Sequence, residues 1–284
     1  MAIVLGDNRY GKAEVRLVRI DRGAAEHGIT DLTVSVSLSG DMADTHLTGA
    51  NDKVLATDTQ KNTVFAFARD GIGSPEAFGL RLARHFVDSQ PSIHRARVRL
   101  EQSTWARLGP HSFAGAGGGT RTAVVTCDGE RSWVLSGLTD LTVLNSTGSE
   151  FWGFPRDEYT TLQETKDRIL ATAVNATWRH AATDVDWDAS FATAKQSLLD
   201  AFAGTYSYSL QQTLYAMGER VLTTGPGIAE VRLSLPNKHH FLSDLTPFGL
   251  DNPGEVFYAA DRPYGLIEGT VLRDDAPPAG PAWD

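Results

Sequence analysis

Three polar stretches carry side chains capable of chemistry. Pro236-Asn237-Lys238-His239-His240-Phe241 places an amide, a cation and two imidazoles at the end of an alternating strand, and imidazoles gain or lose a proton near neutral pH. The run 145–159 sets Phe151, Trp152, Phe154 and Tyr159 among turn-forming residues, and aromatics held on such loops often line sites. Ala56-Thr57-Asp58-Thr59-Gln60-Lys61-Asn62-Thr63 offers hydroxyls and an acid. As a local pattern it reads as the cap of a short helix running through Phe67.

Other patterns lead nowhere. Gly6-Asp7-Asn8-Arg9-Tyr10-Gly11-Lys12 spells seven positions of a phosphate-binding loop, but Ala13 stands in place of the required hydroxyl and a strand follows where a helix should. Gly115-Ala116-Gly117-Gly118-Gly119 lacks the spacing and the strand-to-helix setting of a dinucleotide site and reads as a flexible loop. No two of the eight histidines stand three to five residues apart as helical metal ligands do. No Gly-x-Ser-x-Gly elbow occurs, and Cys127, the one cysteine, reads as an inert strand residue.

The elements that must position these stretches follow one plan twice. Residues 13–20 and the alternating run Leu32-Thr33-Val34-Ser35-Val36-Ser37-Leu38 predict a hairpin across the turn residues 22–28. Ser74-Pro75-Glu76 opens a helix marked by Phe78, Leu82 and Phe86. Residues 93–100 then alternate, with His94, Ala96, Val98 and Leu100 on one side and Arg95, Arg97 and Arg99 on the other, and 123–125 is a further strand. The second half repeats this with strands over 133–143 and 169–178, helices marked by Phe191, Ala194, Leu198, Phe202 and by Leu210, Leu214, Met217, Val221, and strands over 229–235, 256–258 and 266–272. The pattern predicts an α+β protein of two modules, 1–130 and 131–273, with antiparallel sheets carrying helices on one face. The tail 274–284, with three prolines in eleven residues, is expected to be disordered.

With 284 residues, 41% of them apolar and 21% charged, the chain has the balance of a globular protein of about two domains. A net charge of −9 provides no global field for nucleic acid or an anionic membrane. A single cysteine excludes an intrachain disulfide and a cysteine-rich metal site, which fits a reducing cytoplasm. No apolar run reaches the roughly 20 residues of a membrane-spanning helix, and the first residues do not form a signal peptide.

Taken together, four stretches in this order resemble the urate oxidase (uricase) family: Tyr10-Gly11-Lys12, Ala56-Thr57-Asp58-Thr59-Gln60-Lys61-Asn62, the block 145–172 and Leu235-Pro236-Asn237-Lys238-His239. Within the block, Ser146-Thr147-Gly148-Ser149-Glu150-Phe151-Trp152-Gly153-Phe154 and Arg156-Asp157-Glu158-Tyr159-Thr160-Thr161-Leu162 carry the family signature. The resemblance implies the tunnelling fold, two β-β-α-α-β-β modules per chain closing into β-barrels in a homotetramer with active sites at subunit interfaces. It also implies oxidation of urate by O2 to 5-hydroxyisourate and hydrogen peroxide without metal or organic cofactor, in the cytoplasm, with neither nucleic acid nor membrane as partner.

Residue roles follow from the same resemblance. Arg168 and Gln211 match the pair that clamps the purine edge, Phe151 the ring that stacks on its face, and Leu162 and Leu210 apolar walls. Lys12, Thr57 and His239 match the catalytic proton relay, Asn237 the amide that holds O2 or water, and Asp58 a contact made through its backbone N–H. His240 is expected to stand off the site. Leu210 replaces the valine of some relatives. A pterin- or purine-handling hydrolase or aldolase of the same fold, and an inactive ligand-binding tetramer, are the alternatives. The first lacks its cysteine and histidine zinc constellation here, and the second would be expected to have lost relay residues that this chain keeps.

Overall fold

Alternating and helix-spaced apolar residues build two compact units in the computed structural model, which describes residues 1–260 and 262–284. Unit 1 comprises Met1–Gly137, Trp178–Phe191 and Pro277–Asp284; unit 2 comprises Leu138–Thr177 and Ala192–Ala276. The division differs from the expected boundary at 130, because long elements near the middle of the chain contribute residues to both units.

In chain order, β1 (Tyr10–Asp21) and β2 (Gly28–Gly40) form the expected hairpin, followed by α1 (Ala43–Leu47), α2 (Thr57–Arg69) and α3 (Pro75–Ser89). Then come β3 (Ile93–Ser103), a ribbon of β4 (Trp105–Gly109) and β5 (Ser112–Gly115), and β6 (Thr120–Cys127). Next, β7 (Ser132–Asn145), β8 (Leu170–His180) and α4 (Trp187–Gly204) each run through both units. Unit 2 continues with α5 (Leu210–Thr224), β9 (Ile228–Pro236), β10 (His239–Leu242), β11 (Phe257–Ala260) and β12 (Leu266–Leu272). The hydrogen-bonded order is β1-β2-β3-β6 and the start of β7 in unit 1, and the rest of β7 with β8-β9-β12 in unit 2.

Each unit buries one face of its sheet under helices. Ser74 Oγ accepts from the Ala77 N–H and Pro75 opens α3, as the sequence signals require. The helix then sinks Phe78, Leu82 and Phe86, all fully buried, toward β3 and β6. Burial of each contributes about 2–3 kcal/mol. In unit 2, α5 does the same over β9 and β12 with Leu214, Met217 and Val221. Both helices approach their sheet through a mid-helix glycine. A Cβ on Gly79 would stand 2.8 Å from Val125 and one on Gly218 would stand 2.5 Å from Val271.

Two expectations fail here. His94 is exposed and Ile93 buried, because the β2–β3 register shifts between Ser39 and Gly40 and reverses the alternation at that end. The tail is ordered from Pro277: a 3-10 turn at Gly280–Trp283 lies on the Trp133 ring, Arg97 donates to the Ala282 carbonyl at 3.0 Å, and Asp284 pairs with Arg95 at 3.3 Å. Proline lowers the entropy lost on ordering, so a few anchors suffice to hold a segment whose composition alone reads as disordered.

Candidate active site

In unit 1 the candidate residue Lys12 is aimed by a β-bulge. Lys12 pairs with Val36 and Val15 with Val34, so Ala13 and Glu14 together oppose Ser35 alone. Glu14 sits at φ 56° with its N–H bonded to Ser35 Oγ at 3.0 Å. The extra residue flips the side-chain alternation. Lys12 therefore shares the face of Val15 and Leu17, the helix-bearing side, where plain alternation would turn it to the opposite face. It is half-buried there. Gly11 makes the close approach possible, since a Cβ at that position would stand 1.8 Å from the Val36 carbonyl oxygen.

Tyr10 Oη donates to the Leu55 carbonyl at 3.1 Å, tying β1 to the segment that leads into α2. The sequence pattern reads Thr57 and Asp58 as caps, but Ala56 is the N-cap residue and makes no side-chain cap bond. Thr57 and Asp58 are the first two helical residues, both exposed. Their N–H groups belong to the first turn, which has no intrahelical acceptors, and point where an anion is favoured. The Asp58 carboxylate is turned into its own helix, accepting from Lys61 and, at 3.0 Å, from Asn62. Lys61 above all, with Lys12 contributing charge, holds it below the usual carboxylate range.

In unit 2 three backbone pairings gather most of the other residues. Phe151 and Thr165 exchange bonds of 2.9 and 3.0 Å, folding the loop back so that Arg168 lies against Phe151, its guanidinium 5.1 Å from the ring centroid. Ser149 pairs with Ser207, which brings this loop beside the start of α5. There Ser209 Oγ accepts from the Gln212 N–H and Gln212 Oε1 accepts from the Tyr208 N–H, a reciprocal cap that fixes Leu210 and Gln211 at the first two positions. Leu210 is buried and Gln211 exposed. Thr172 pairs with Asn237, and the Lys238 N–H donates to Ala171 at 2.8 Å, placing Asn237 and His239 beside the start of β8. Leu162 stands apart from these pairings on the loop between Phe154 and Thr165, 52% exposed.

Arg168 is half-buried and anchored at one edge. Its Nε donates to Ser149 Oγ at 3.1 Å and its backbone N–H to the Ser149 carbonyl at 3.0 Å. Among the described residues its two terminal nitrogens take no protein acceptor, which leaves a two-pronged donor beside an aromatic face. His239 pairs with Ala260 in the β10–β11 ribbon and stacks on Phe241, 5.7 Å between centroids. Partial burial, then the charges of Arg168 and His240, hold it below the usual histidine value. His240 instead directs Nδ1 at the Lys238 carbonyl, 3.0 Å away.

The sequence reading missed a supporting cluster next to Phe151. Glu150 accepts from Tyr206 Oη at 2.6 Å and from Trp152 Nε1 at 2.5 Å, and Lys166 lies 3.0 Å from the Trp152 ring centroid. These bonds pull Glu150 down and push Tyr206 up to about 12. The tyrosines 206 and 208 gave no periodic signal; the Ser209-x-x-Gln212 capping pattern beside them was the available one. Among the described residues no group of three or more His, Cys, Asp or Glu could hold a metal ion, and no helix is long and apolar enough to cross a membrane.

Comparison with known proteins places this arrangement. The uricase family model matches residues 8–126 and 134–268. The chain is 54% identical to the uricase of Arthrobacter globiformis over 283 residues, 99% of this chain and 94% of the relative. It is 40% identical to the uricase of Dictyostelium discoideum, covering 94% and 96% of the two. The crystal structure of the Arthrobacter globiformis uricase superposes with a TM-score of 0.97 at 53% identity, over 100% of this chain and 99% of that one. A Bacillus sp. TB-90 urate oxidase variant at 23% identity shares the fold with a TM-score of 0.80, over 94% and 100%. The α+β architecture is thus the tunnelling fold that the sequence implied. With a relative more than half identical along nearly its whole length, the chain is an oxidoreductase that belongs to the uricase family.

Proposed function

We propose that the chain oxidises urate with O2 and water, without a cofactor, to 5-hydroxyisourate and hydrogen peroxide. Urate, O2 and water together supply every atom of the two products. The observation that carries this reading is Arg168: its Nε is bound to Ser149 while, among the described residues, its terminal nitrogens take no acceptor beside Phe151. A flat anion with two adjacent acceptors meets parallel charged hydrogen bonds along its edge and an aromatic ring on its face. Gln211 adds an amide able to donate and accept on the neighbouring edge, Leu210 and Leu162 supply apolar walls, and the Thr57 and Asp58 N–H groups supply donors.

Urate is electron-rich and yields electrons to oxygen once its protons are taken, so the protein must move protons and place O2. In this reading the Thr57 hydroxyl passes a proton to Lys12, His239 completes the relay as a neutral imidazole, and Asn237 holds O2 or the attacking water. Because Asp58 turns its carboxylate to Lys61 and Asn62, it contributes its N–H without setting a free charge against the substrate. Lys12, Thr57 and Asp58 belong to unit 1 and the remaining seven residues to unit 2. The reading therefore includes a cytoplasmic homotetramer in which one chain's trio serves a site completed by another chain.

The test is to follow loss of the urate absorbance band together with oxygen uptake, before and after dialysis against a strong chelator. Equal consumption of urate and O2, unchanged by the chelator, is the expected result. Activity that returns only with added metal or flavin would overturn the cofactor-free reading.

A further inference from the structure

Helix α2 buries a polar side chain that the proposed reaction leaves without a role. The buried residues of the helix are Gln60, Val64 and Ala68, and Gln60 is wholly inaccessible. Its Nε2 donates to the Leu55 carbonyl at 3.2 Å. That carbonyl also takes Tyr10 Oη at 3.1 Å, so one oxygen holds a donor from α2 and a donor from β1. The amide cannot turn over, since a flipped Gln60 would set its own oxygen against the carbonyl. Gln60 Oε1 is left buried with no partner among the described residues. Such an atom costs stability, and an apolar side chain of similar size would avoid that cost. A polar group kept at the head of an apolar stripe points to function.

The two bonds act on the segments that carry Lys12 and Thr57. Tyr10 packs against the core of unit 1, and Lys12, two residues on, stands on the same face of β1. Leu55 lies two residues before Thr57 and Gln60 three after it. At this end of α2 the usual fastening is missing, because Ala56, the N-cap, belongs to the poorest capping residues and makes no side-chain bond. The Gln60 amide, reaching back past the N-cap, sets the angle at which the chain enters the helix. Lys12 is near enough to the same turn for its charge to reach Asp58.

We propose that Gln60 is a positioning residue for urate oxidation: with Tyr10 it fixes the Leu55 carbonyl between β1 and α2, and so holds the Thr57 hydroxyl in register with Lys12. The inference rests on the Lys12–Thr57 relay proposed above. Gln60 acts through the backbone that carries Thr57, and Tyr10 through the strand that carries Lys12. Misplacing reacting groups by about 1 Å can cost about a hundredfold in rate, so a bond that sets the entry of one short helical turn is enough to matter.

Gln60→Met tests this, since methionine keeps the volume and the helix preference and removes the amide. Leu55 retains its bond from Tyr10 and the bare oxygen is gone, so the melting temperature should hold or rise. Steady-state kinetics per folded enzyme should show kcat lowered by about tenfold or more, with KM changed far less, because Phe151, Arg168 and Gln211 lie in unit 2. In a Thr57→Ala background, where no hydroxyl is left to position, Gln60→Met should lower the residual turnover by less than about twofold. An unchanged kcat, a lower kcat accounted for by a lower melting temperature, or the full loss repeated on top of Thr57→Ala would overturn the proposal and leave the relay standing. A Thr57→Ala enzyme with undiminished turnover would instead remove the relay, and this inference with it. Should Gln60→Met fail to fold, Tyr10→Phe, which keeps the ring and drops the bond to Leu55, decides by the same two kinetic comparisons.

Discussion

An acid at the mouth of the proposed anion site would be a liability unless its charge were used elsewhere, and Asp58 shows how one helix turn removes it. Its carboxylate takes Lys61 and Asn62 at positions i+3 and i+4, leaving the first-turn N–H groups of α2 open. The same economy governs Arg168, whose inner edge is fixed on Ser149. The charge of Arg168 is also felt by His239, which burial first and then Arg168 and His240 hold below the usual histidine value. A positive neighbour disfavours protonation, so removing it must raise that value. Arg168→Gln is therefore expected to weaken binding of urate or a purine inhibitor by tenfold or more, on the order of a lost charged hydrogen bond. It should also move the His239 titration upward in a proton NMR pH series; a midpoint that stays put or falls would show that the two do not interact. For the proposed relay, Lys12→Met and Thr57→Ala should each cut turnover strongly, and the double variant should lose far less than the product of the two, as residues acting in one step do. Fully multiplicative losses in a double-mutant cycle would separate them.

Elements vary in how legible they are from sequence. Helix α3 is written out in full by Ser74, Pro75 and the Phe78-Leu82-Phe86 stripe, since both its cap and its buried face are local patterns. The cap of α5 is likewise spelled by Ser209 and Gln212. The strands β4, β5 and β10 are not, because four- and five-residue strands are set by their partner and carry too few residues to show a period, whereas the run 256–258 does mark β11. Least legible is the bulge in β1. Nothing in Tyr10-Gly11-Lys12-Ala13-Glu14-Val15 announces an extra residue, yet it decides which face Lys12 occupies. The fold and the site motifs could thus be read directly, whereas the aim of the lysine depended on cross-strand register. Gly11 is the position at which that register can be tested. An alanine there would overlap a backbone carbonyl, which cannot swing aside as a side chain can. Gly11→Ala should lower the melting temperature, consistent with a cost of about 1–3 kcal/mol, and should reduce turnover by more than that loss of folded protein explains. Calorimetry with single-turnover kinetics checks both, and a fully active, equally stable variant would remove Gly11 from the machinery.

For the molecule as a whole, stability and activity are both distributed beyond the site. His180 is buried with a value of about 4, against 6.5 for a free histidine. The folded state therefore binds fewer protons than the unfolded one between those values. Stability from this residue is complete above about pH 6.5, falls as pH drops, and is gone below about 4, on the order of 3 kcal/mol in all. Urea unfolding across that range should show the slope of one proton, and His180→Gln, which cannot titrate, should flatten it; an unchanged slope would mean that other groups govern acid loss. The order of the tail belongs to this scale too, since Arg95 and Arg97 lie more than 180 residues from the groups that they hold. Composition cannot report a contact so distant in sequence. The same separation in sequence bears on catalysis, because Lys12 and Thr57 lie in one unit while Arg168 and Gln211 lie in the other. If each active site takes its trio from one chain and its clamp from a second, two different lesions need not fall in the same site. Lys12→Met chains and Arg168→Gln chains, each inactive alone, should then recover part of the turnover after subunit exchange, because some sites in a mixed assembly draw a sound trio and a sound clamp. Mixed assemblies verified by native mass spectrometry that stay as inactive as their parents would mean that every chain completes its own site.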